Sequence, residues 1–343
     1  MNVETAFLEQ SRMCATLGSP FMSRLLRLIG QNFAHHDTCI RLFKRWEKNS
    51  RIIDGVLPLR TAAALHALVL EKINHGLLDV YPPNTASDQA LWTAVSVAFK
   101  QHEQFILDWL ESSPQTNEIC RAAPVLASLN YCLSRVQMPV MLSELGASAG
   151  FNLLLDRYSL ETGQTSHQAA DPIATMSPDW MGVIPAQQNL HIVDRAGVDI
   201  NPLNPLDRKD YLRLLSYTWA DQQDRMDRIK QIAPHQTTQI EKADAADWLT
   251  NRLKMQRTGT LHFVFHTIAM QYFSAQSKEK IAHDLAIAGA CATHDRPLGY
   301  MSMEIVDATE GAKLTLQLWP GGELHDIGRA DFHGRWVSWV HPI

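Results

Sequence analysis

Apolar side chains in the first third of the chain recur at the helical period. Between Asp88 and Glu111 they follow one another largely at intervals of three and four residues, which places them on one face of an α-helix, and Ser87 is in position to cap its start. The stretch up to about residue 130 shows no strand-like alternation. We therefore predict an all-helical N-terminal domain over residues 1–134. The apolar positions of this helix are Leu91, Trp92, Val95, Phe99, Phe105, Ile106, Trp109 and Leu110.

The pattern changes after Pro139, where short apolar runs of strand length alternate with helical stretches. Such alternation is typical of βαβ units, so residues 135–343 are predicted to form an α/β, Rossmann-like domain. A helix is predicted over Ala149–Tyr158, and residues 160–195, rich in Pro, Gln and Thr, are interpreted as an insertion or lid. The predicted strands are Val140–Leu145, one ending at Ile200, Thr238–Ala243, Leu261–Phe265, Leu298–Ile305, and a C-terminal antiparallel hairpin of Lys313–Trp319 with the chain from Leu324.

Composition and charge argue against several classes of protein. The net charge is −5 at pH 7 with neutral histidines, so the chain lacks the basic balance of a duplex-binding protein and no nucleic-acid partner is expected. The five cysteines form no C-x-x-C pair and the histidines no H-E-x-x-H motif, which argues against a metal site and favours a reducing, cytoplasmic location. Neither a signal peptide nor an apolar run long enough for a membrane span is found. A small-molecule substrate is the expected partner, and the oligomeric state is not indicated.

The sharpest local motif lies between the first predicted strand and the helix after it. Residues 144–150 place Glu144, Gly146, Ser148 and Gly150 at alternate positions. In one interpretation, the small residues let the backbone approach a nucleotide-like ligand at the carboxyl end of the strand. In a second, the segment matches G-x-S-x-G, the nucleophile elbow of α/β-hydrolases, with Ser148 as the nucleophile. A tight strand-to-helix turn without a ligand is the third.

The context of the loop favours the nucleotide-like ligand over the hydrolase. A hydrolase elbow follows several strands and takes part of its oxyanion hole from an earlier strand, whereas the chain before Val140 is predicted to be helical. Glu144 has no role in a hydrolase, but from inside the strand it can reach polar groups of a nucleoside. The serine hydrolase therefore stays the alternative.

Two acidic residues follow later strands. Asp199, in the sequence G-V-D-I-N-P, ends the second predicted strand, where a carboxylate can accept hydrogen bonds from both hydroxyls of a ribose. Its alternative role is to cap the turn before Pro202. Asp244 follows the third strand and is predicted either to accept from an exocyclic amine or to cap the next helix.

Further candidates lie around the expected cleft. His266 comes directly after the apolar run Leu261–Phe265, and a histidine at the end of a parallel strand can act as a general base because its pKa lies near neutrality. The alternative is a hydrogen-bonded histidine that closes the strand end. The polar cluster at 116–121 is explained more simply by helix capping and an i, i+3 ion pair than by ligand binding. Arg195 is expected to face either the cleft or a carboxylate. The remaining cleft candidates are Asn117, Glu118, Arg121, Asn152, Arg195 and Asn201.

Over most of its length the chain resembles a family of bacterial proteins classified only as a domain of unknown function (DUF2332), whose fold is similar to that of class I S-adenosylmethionine-dependent methyltransferases. Six separated motifs carry the resemblance and occur in the family's order. Ser148 stands where the methyltransferase loop usually has a glycine. The motifs are QTNEICRAA, ELGASAGFNLLLDRY, RAGVDINPL, EKADAADWL, VFHTIAMQY and DFHGRWVSWV.

The resemblance implies a methyltransferase-type sheet with S-adenosylmethionine as cofactor, and methyl transfer to an unknown small molecule. Because a sulfonium methyl group is already activated, alignment of the reactants is what the protein must supply. A serine hydrolase and a non-catalytic nucleoside-binding protein are the alternatives. Under this hypothesis the cofactor-binding residues are Glu144, Gly146, Ser148, Gly150, Asp199 and Asp244, and the catalytic residue is His266.

Overall fold

The chain forms two compact units, each assembled from two stretches of sequence. The first comprises Met1–Thr116 and Asp207–Ile229, and the second comprises Asn117–Leu206 and Lys230–Ile343. The division therefore falls before the predicted boundary at residue 134, because the helix at 122–136 packs on strands of the second unit. The computed structural model describes residues 2–47, 56–112, 114–307 and 310–340.

Helices and strands are numbered in chain order. The helices are α1 (Val3–Thr16), α2 (Pro20–Asn32), α3 (Asp37–Glu47), α4 (Leu57–Leu70), α5 (His75–Leu78), α6 (Asp88–Gln101), α7 (Glu103–Leu110), α8 (Ala122–Val136), α9 (Arg208–Tyr217), α10 (Gln223–Ile232), α11 (Ala245–Leu253) and α12 (Ala275–Ala290). The strands are β1 (Val140–Leu145), β2 (Tyr158–Glu161), β3 (Ser166–His167), β4 (Ala174–Met176), β5 (Asp179–Met181), β6 (Ile192–Asp199), β7 (Ile240–Lys242), β8 (Leu261–Thr267), β9 (Leu298–Ile305), β10 (Ala312–Trp319), β11 (Leu324–Ala330) and β12 (Trp336–Trp339).

In the first unit, helices pack around one core of buried apolar side chains, Phe7, Leu26 and Phe99 among them. The Ser87 side chain accepts a hydrogen bond from the Ala90 N–H, which is the cap that the sequence predicts for α6. The helix expected to run from Asp88 to Glu111 is divided at residue 102, where the backbone leaves the helical region (φ −122°, ψ 29°). Among the residues that the structure describes, no helix combines the length and apolarity needed to cross a bilayer.

The second unit is built on a nine-stranded sheet of order β5-β12-β11-β10-β9-β8-β1-β6-β7. Its five neighbouring strands β9, β8, β1, β6 and β7 are parallel, and β10, β11 and β12 continue the sheet in antiparallel fashion. The chain is thus a mixed α/β protein with a large, mostly parallel sheet. The antiparallel hairpin predicted near the C-terminus is formed by β10 and β11.

Both faces of the central strands are covered by helices, and every residue of β1 and β8 is buried accordingly. On one face, Val198 and Val264 pack in a cluster with Leu249 of α11 and Leu285 of α12. On the other, α8 packs against β8, β9 and β10. Strands enclosed in this way need apolar side chains in both directions, which explains why the sequence shows continuous apolar runs rather than alternation.

The prediction of an α-helix over Ala149–Tyr158 is wrong. The chain forms a 3₁₀ helix, Phe151–Arg157, with a non-helical residue at Leu154, and then enters β2. Gly150 before it has a left-handed backbone (φ 75°), so a helix cannot start at Ala149 as predicted, and the angles at Leu154 (φ −93°, ψ 16°) interrupt the turns that follow.

The segment at 160–195 contributes strands of its own. β2, β3 and β4 form a three-stranded sheet of order β3-β2-β4, and β5 pairs in parallel with β12 at the edge of the large sheet. Its last residues already belong to β6.

Candidate functional site

The loop after β1 turns through three left-handed residues in alternation. Gly146, Ser148 and Gly150 have φ values of 71°, 52° and 75°. The Gly146 and Ala147 N–H groups donate to the Val198 carbonyl of β6 at 2.9 and 3.0 Å, which fixes the turn against the neighbouring strand. Ser148 holds this conformation with a Cβ, which costs of order 1–2 kcal/mol and needs support from its surroundings.

The two outer glycines make room for other parts of the protein. A Cβ on Gly146 would come within 2.5 Å of the Ala269 Cβ, and one on Gly150 would meet the side chains of Gln236 and Ile240. The sequence led us to expect that these small residues open the loop to a ligand. In the structure they let the start of β7 with the residues before it, and the segment after β8, pack against the loop.

Asp199 holds the loop in place from the end of β6. Its Oδ2 accepts a hydrogen bond from the Ser148 N–H at 2.9 Å, and its Oδ1 accepts from the Asn201 N–H at 2.8 Å. The second contact is the turn cap considered as the alternative role for this residue. The first was not foreseen, and it supplies the support that the strained Ser148 backbone requires.

Three polar side-chain atoms beside this loop are buried and have no hydrogen-bond partner among the described residues. They are Glu144 Oε2, Asn152 Oδ1 and Ser148 Oγ. Glu144 is 1% exposed, and its Oε1 accepts a hydrogen bond from Asn152 Nδ2 at 3.0 Å. Burial raises the pKa of Glu144 to about 8, so near pH 7 the group is mostly a neutral carboxylic acid with an O–H to donate. Buried atoms of this kind are usually satisfied by water or by a ligand.

A second group of polar residues lies just before α8. Asn117 Oδ1 accepts from the Phe151 N–H at 2.7 Å, and Glu118 Oε1 accepts from the Cys120 N–H at 3.3 Å. Glu118 rather than Asn117 is therefore the N-cap, and it caps a short 3₁₀ helix.

Arg121 joins three of the sequence motifs. Its Nε donates to the Phe332 carbonyl at 2.8 Å, and its Nη1 donates to the carbonyl of Thr267, the last residue of β8, at 3.4 Å. Its positive charge also acts on Glu144, whose pKa it lowers slightly against the larger effect of burial. Residues of the first, second, fifth and sixth motifs are thus brought together at the carboxyl ends of β1 and β8.

His266 lies inside β8 rather than after it, which corrects the expected position at the cleft edge. Its side chain is 1% exposed, with Nδ1 at 2.6 Å from Glu304 Oε1 and Nε2 at 2.7 Å from the Tyr300 hydroxyl. Both ring nitrogens are therefore engaged, Nδ1–H donating to the carboxylate and Nε2 accepting from the phenol. This is the hydrogen-bonded histidine of the alternative interpretation.

Glu144 and His266 point to opposite faces of the sheet. Glu144 is paired in register with Phe265, and successive side chains of a strand alternate between the two faces. The Glu304 Oε1 that binds His266 also accepts from the N–H groups of Ala269 and Met270 at 2.9 and 3.0 Å. The His266–Glu304 network therefore positions the segment at Ala269 and Met270, which packs on Gly146.

Asp244 is a helix cap. Its Oδ1 accepts from the N–H groups of Ala246 and Asp247 at 2.8 and 3.3 Å, and its Oδ2 accepts from the Ser277 hydroxyl at 2.9 Å. Both carboxylate oxygens are engaged, which confirms the capping role that the sequence analysis gave as one of two.

Arg195 binds a carboxylate and fixes the 3₁₀ helix after the loop. Its two terminal nitrogens each lie 2.9 Å from an oxygen of Asp156, and Nη1 also donates to the Leu153 carbonyl at 2.7 Å. Asn201 is exposed in the turn after β6. The bonds of Arg195 lead to Asp156 and Leu153 and not to the buried atoms around Glu144.

The sequence analysis missed Tyr300 and Glu304, the two partners of His266. A signal was present, because polar residues at 300, 302 and 304 alternate with methionines along β9 and predict one polar face. It also missed Tyr272, which is 63% exposed although it lies between Ala269 and Phe273, the residues that a Cβ on Gly146 would meet.

The placement of Ser148 predicts an outcome for the hydrolase alternative. A serine nucleophile needs a base within hydrogen-bond reach, and Ser148 Oγ has no such partner among the described residues. We expect a fluorophosphonate probe to leave the protein unlabelled, as measured by intact-protein mass spectrometry. Labelling that is lost in Ser148→Ala but kept in Ser134→Ala would establish the hydrolase instead.

Comparisons with known proteins identify the chain only at the level of its family. No curated protein and no solved structure matches the sequence. Residues 4–339 match the family described as "Uncharacterized protein conserved in bacteria (DUF2332)". Because this match spans nearly the whole chain and includes every motif assembled at the β1 and β8 ends, the protein belongs to that bacterial family.

Proposed function

We propose that this protein binds S-adenosylmethionine at the carboxyl ends of β1 and β8 and transfers its methyl group to a small molecule. The observation that carries the proposal is the order of the parallel strands. From β1 the chain continues to β6 and β7 on one side, and from there it returns to β8 and β9 on the other side of β1. In open α/β sheets of this kind, ligands bind in the crevice where the strand order reverses.

The residues at this crevice fit a nucleoside-type ligand. Glu144 and Ser148 supply hydrogen-bond donors, and Asn152 supplies an acceptor, all from buried atoms without a partner in the described part of the chain. Asp199 lies beside this crevice at the end of β6, where its carboxylate accepts from the Ser148 and Asn201 N–H groups. Under the proposal Asp199 holds the ribose, and the polar atoms around Glu144 hold the amino-acid part.

One of the expected contacts takes a different form. Asp244 accepts capping bonds at both carboxylate oxygens, so the proposal gives the adenine contact to Tyr272, whose exposed ring offers an aromatic face. When bound, S-adenosylmethionine supplies a methyl group already activated by the sulfonium. The chain's own residues have to orient the ligand and exclude water, which requires no nucleophile from the protein.

Calorimetric titration with S-adenosylmethionine and S-adenosylhomocysteine tests the proposal. At about a hundred times the dissociation constant, the ligand should stabilise the fold by roughly 2.7 kcal/mol, visible as a rise in melting temperature.

Ser148→Ala should weaken binding by about 5- to 10-fold without lowering the melting temperature, because it removes one neutral hydrogen bond. Ser134→Ala, an exposed serine on α8, is the matched control and should bind like the wild type. No heat and no melting shift at millimolar ligand would refute the assignment.

One observation favours the non-catalytic nucleoside-binding alternative. Both ring nitrogens of His266 are engaged, so this residue is not free to deprotonate an acceptor. Incubation with methyl-labelled S-adenosylmethionine and a bacterial metabolite extract separates the two functions. Label transferred to a small molecule by the wild type, and reduced in Ser148→Ala, supports the methyltransferase; tight binding without transfer supports the binding protein.

A further inference from the structure

A cavity of about 540 Å³ lies within the second unit, away from the loop after β1. Its walls come from α8, from the junction of the 3₁₀ helix with β2, and from residues 167–171 and 187–190. The volume falls in the range of roughly 300–1,000 Å³ that is usual for small-molecule sites. Two of the four walls belong to the segment that the sequence analysis interpreted as an insertion or lid.

The charged residues of the lining are already paired. Asp156 is held by both terminal nitrogens of Arg195 at 2.9 Å. Arg157 Nη2 lies 2.7 Å from Asp171 Oδ2, and the Asp171 side chain is 82% exposed, so this pair lies at the solvent side of the cavity. The cavity therefore presents no uncompensated charge, and a ligand that carried one would have to break an existing pair.

The polar groups that remain are neutral. Burial lowers the pKa of His167, so its imidazole is uncharged near pH 7. Asn130 Nδ2 lies 3.4 Å from His167 Nδ1, which makes Nδ1 the acceptor and leaves the proton on Nε2. Amide side chains from 168 and 187–189 complete the polar lining. An amide carries an acceptor and a donor on neighbouring atoms, which matches adjacent hydroxyl groups, and the side chains of Gln168, Gln187 and Gln188 already use some of theirs in bonds within the protein.

Parts of this lining are held rigid, and parts are apolar. Gln187 Nε2 donates to the Gln168 carbonyl at 2.8 Å, and the Gln168 N–H donates back to Gln187 Oε1 at 3.1 Å. Leu126, Leu155 and Leu190 supply an apolar surface. Amide groups beside an apolar wall suit a ligand with hydroxyls on its rim and C–H groups on its face.

We propose that this cavity is a binding site for an uncharged, hydroxyl-rich small molecule, a saccharide of one or two rings. The site is independent of the function proposed for the loop after β1. It gives the segment at 160–195 a role, since that segment builds two of the walls.

Titration calorimetry of the full chain with four probes tests the site. The uncharged probes are N-acetylglucosamine and maltose, and the charged ones are glucosamine and glucuronate, which are single-ring sugars like N-acetylglucosamine. We expect a dissociation constant of about 1 mM for at least one uncharged probe. The two charged sugars should bind about tenfold more weakly.

Two tryptophan variants locate the binding. Ala170→Trp places an indole at the exposed rim of the cavity and should abolish binding, whereas Ala186→Trp, exposed in the same segment but outside the lining, should leave it unchanged. Both variants should melt like the wild type. The proposal is overturned if neither uncharged probe binds, if a charged probe binds as tightly, or if Ala170→Trp binds like the wild type.

Discussion

Glu144→Gln should gain stability relative to the wild type as the pH rises. We expect the free energy of unfolding of the variant, minus that of the wild type, to be roughly 3–5 kcal/mol larger at pH 9 than at pH 4. The reason is that burial raises the pKa of Glu144 from 4.5 to about 8 in the folded protein. A raised folded-state pKa contributes stability that is fully present below the unfolded pKa and is lost as the pH rises through the folded one. Between about pH 4.5 and 8 the wild type should therefore lose stability that the Gln variant keeps. Urea unfolding at a series of pH values measures this difference.

Glu304 provides a matched control with the opposite sign. Burial alone would raise its pKa, but hydrogen bonds from His266 and from the Met270 and Ala269 N–H groups together lower it. Its contribution to stability is present above the unfolded pKa and is lost as the pH falls, so Glu304→Gln should be most destabilising at neutral and alkaline pH. Parallel pH profiles for the wild type and Glu144→Gln would mean that Glu144 is already ionised in the folded protein at neutral pH, and would contradict its raised pKa.

Gly146→Ala should destabilise the protein by about 2–5 kcal/mol. The left-handed backbone at φ 71° contributes of order 1–2 kcal/mol, and the overlap of the new Cβ with Ala269 contributes about 1–3 kcal/mol more. Ala269 cannot easily withdraw, since its N–H is bonded to Glu304. Thermal or urea unfolding measures the loss.

Two further variants separate the contact from the strain. Gly259→Ala has nearly the same backbone angle, φ 77°, with nothing within 4 Å of the new Cβ, so it should show the strain alone. Adding Ala269→Gly to Gly146→Ala should recover the part due to overlap. If Gly146→Ala is no worse than Gly259→Ala, or if the double variant recovers nothing, the packing of the two loops is not what requires a glycine at 146.

The sequence was sufficient for the strands that both faces bury. β1 and β8 are enclosed by helices, so burial itself produces a continuous apolar run that can be recognised without a structure. The 3₁₀ helix after Gly150 was not recognisable in the same way. Its apolar residues fit an α-helix equally well, and the α-helical path is interrupted by backbone angles at Gly150 and Leu154 that the apolar pattern does not show.

The candidate site was only partly predictable, because the sequence shows which residues end a strand but not what they contact. Asp199 was expected to face a ligand, yet one of its oxygens binds the backbone of Ser148 in the neighbouring loop. His266 was expected at the cleft edge, but its partners Tyr300 and Glu304 lie on another strand, and only the register of β8 with β9 brings them together.

The central claim is that a nucleoside-type cofactor binds where the strand order reverses, and a crystal structure with S-adenosylhomocysteine tests it most directly. We predict ligand density between the carboxyl ends of β1 and β8, with hydrogen bonds to Asp199 and to Ser148 Oγ. Density elsewhere in the protein, or none at millimolar ligand with the loop after β1 filled by ordered water, would contradict the claim.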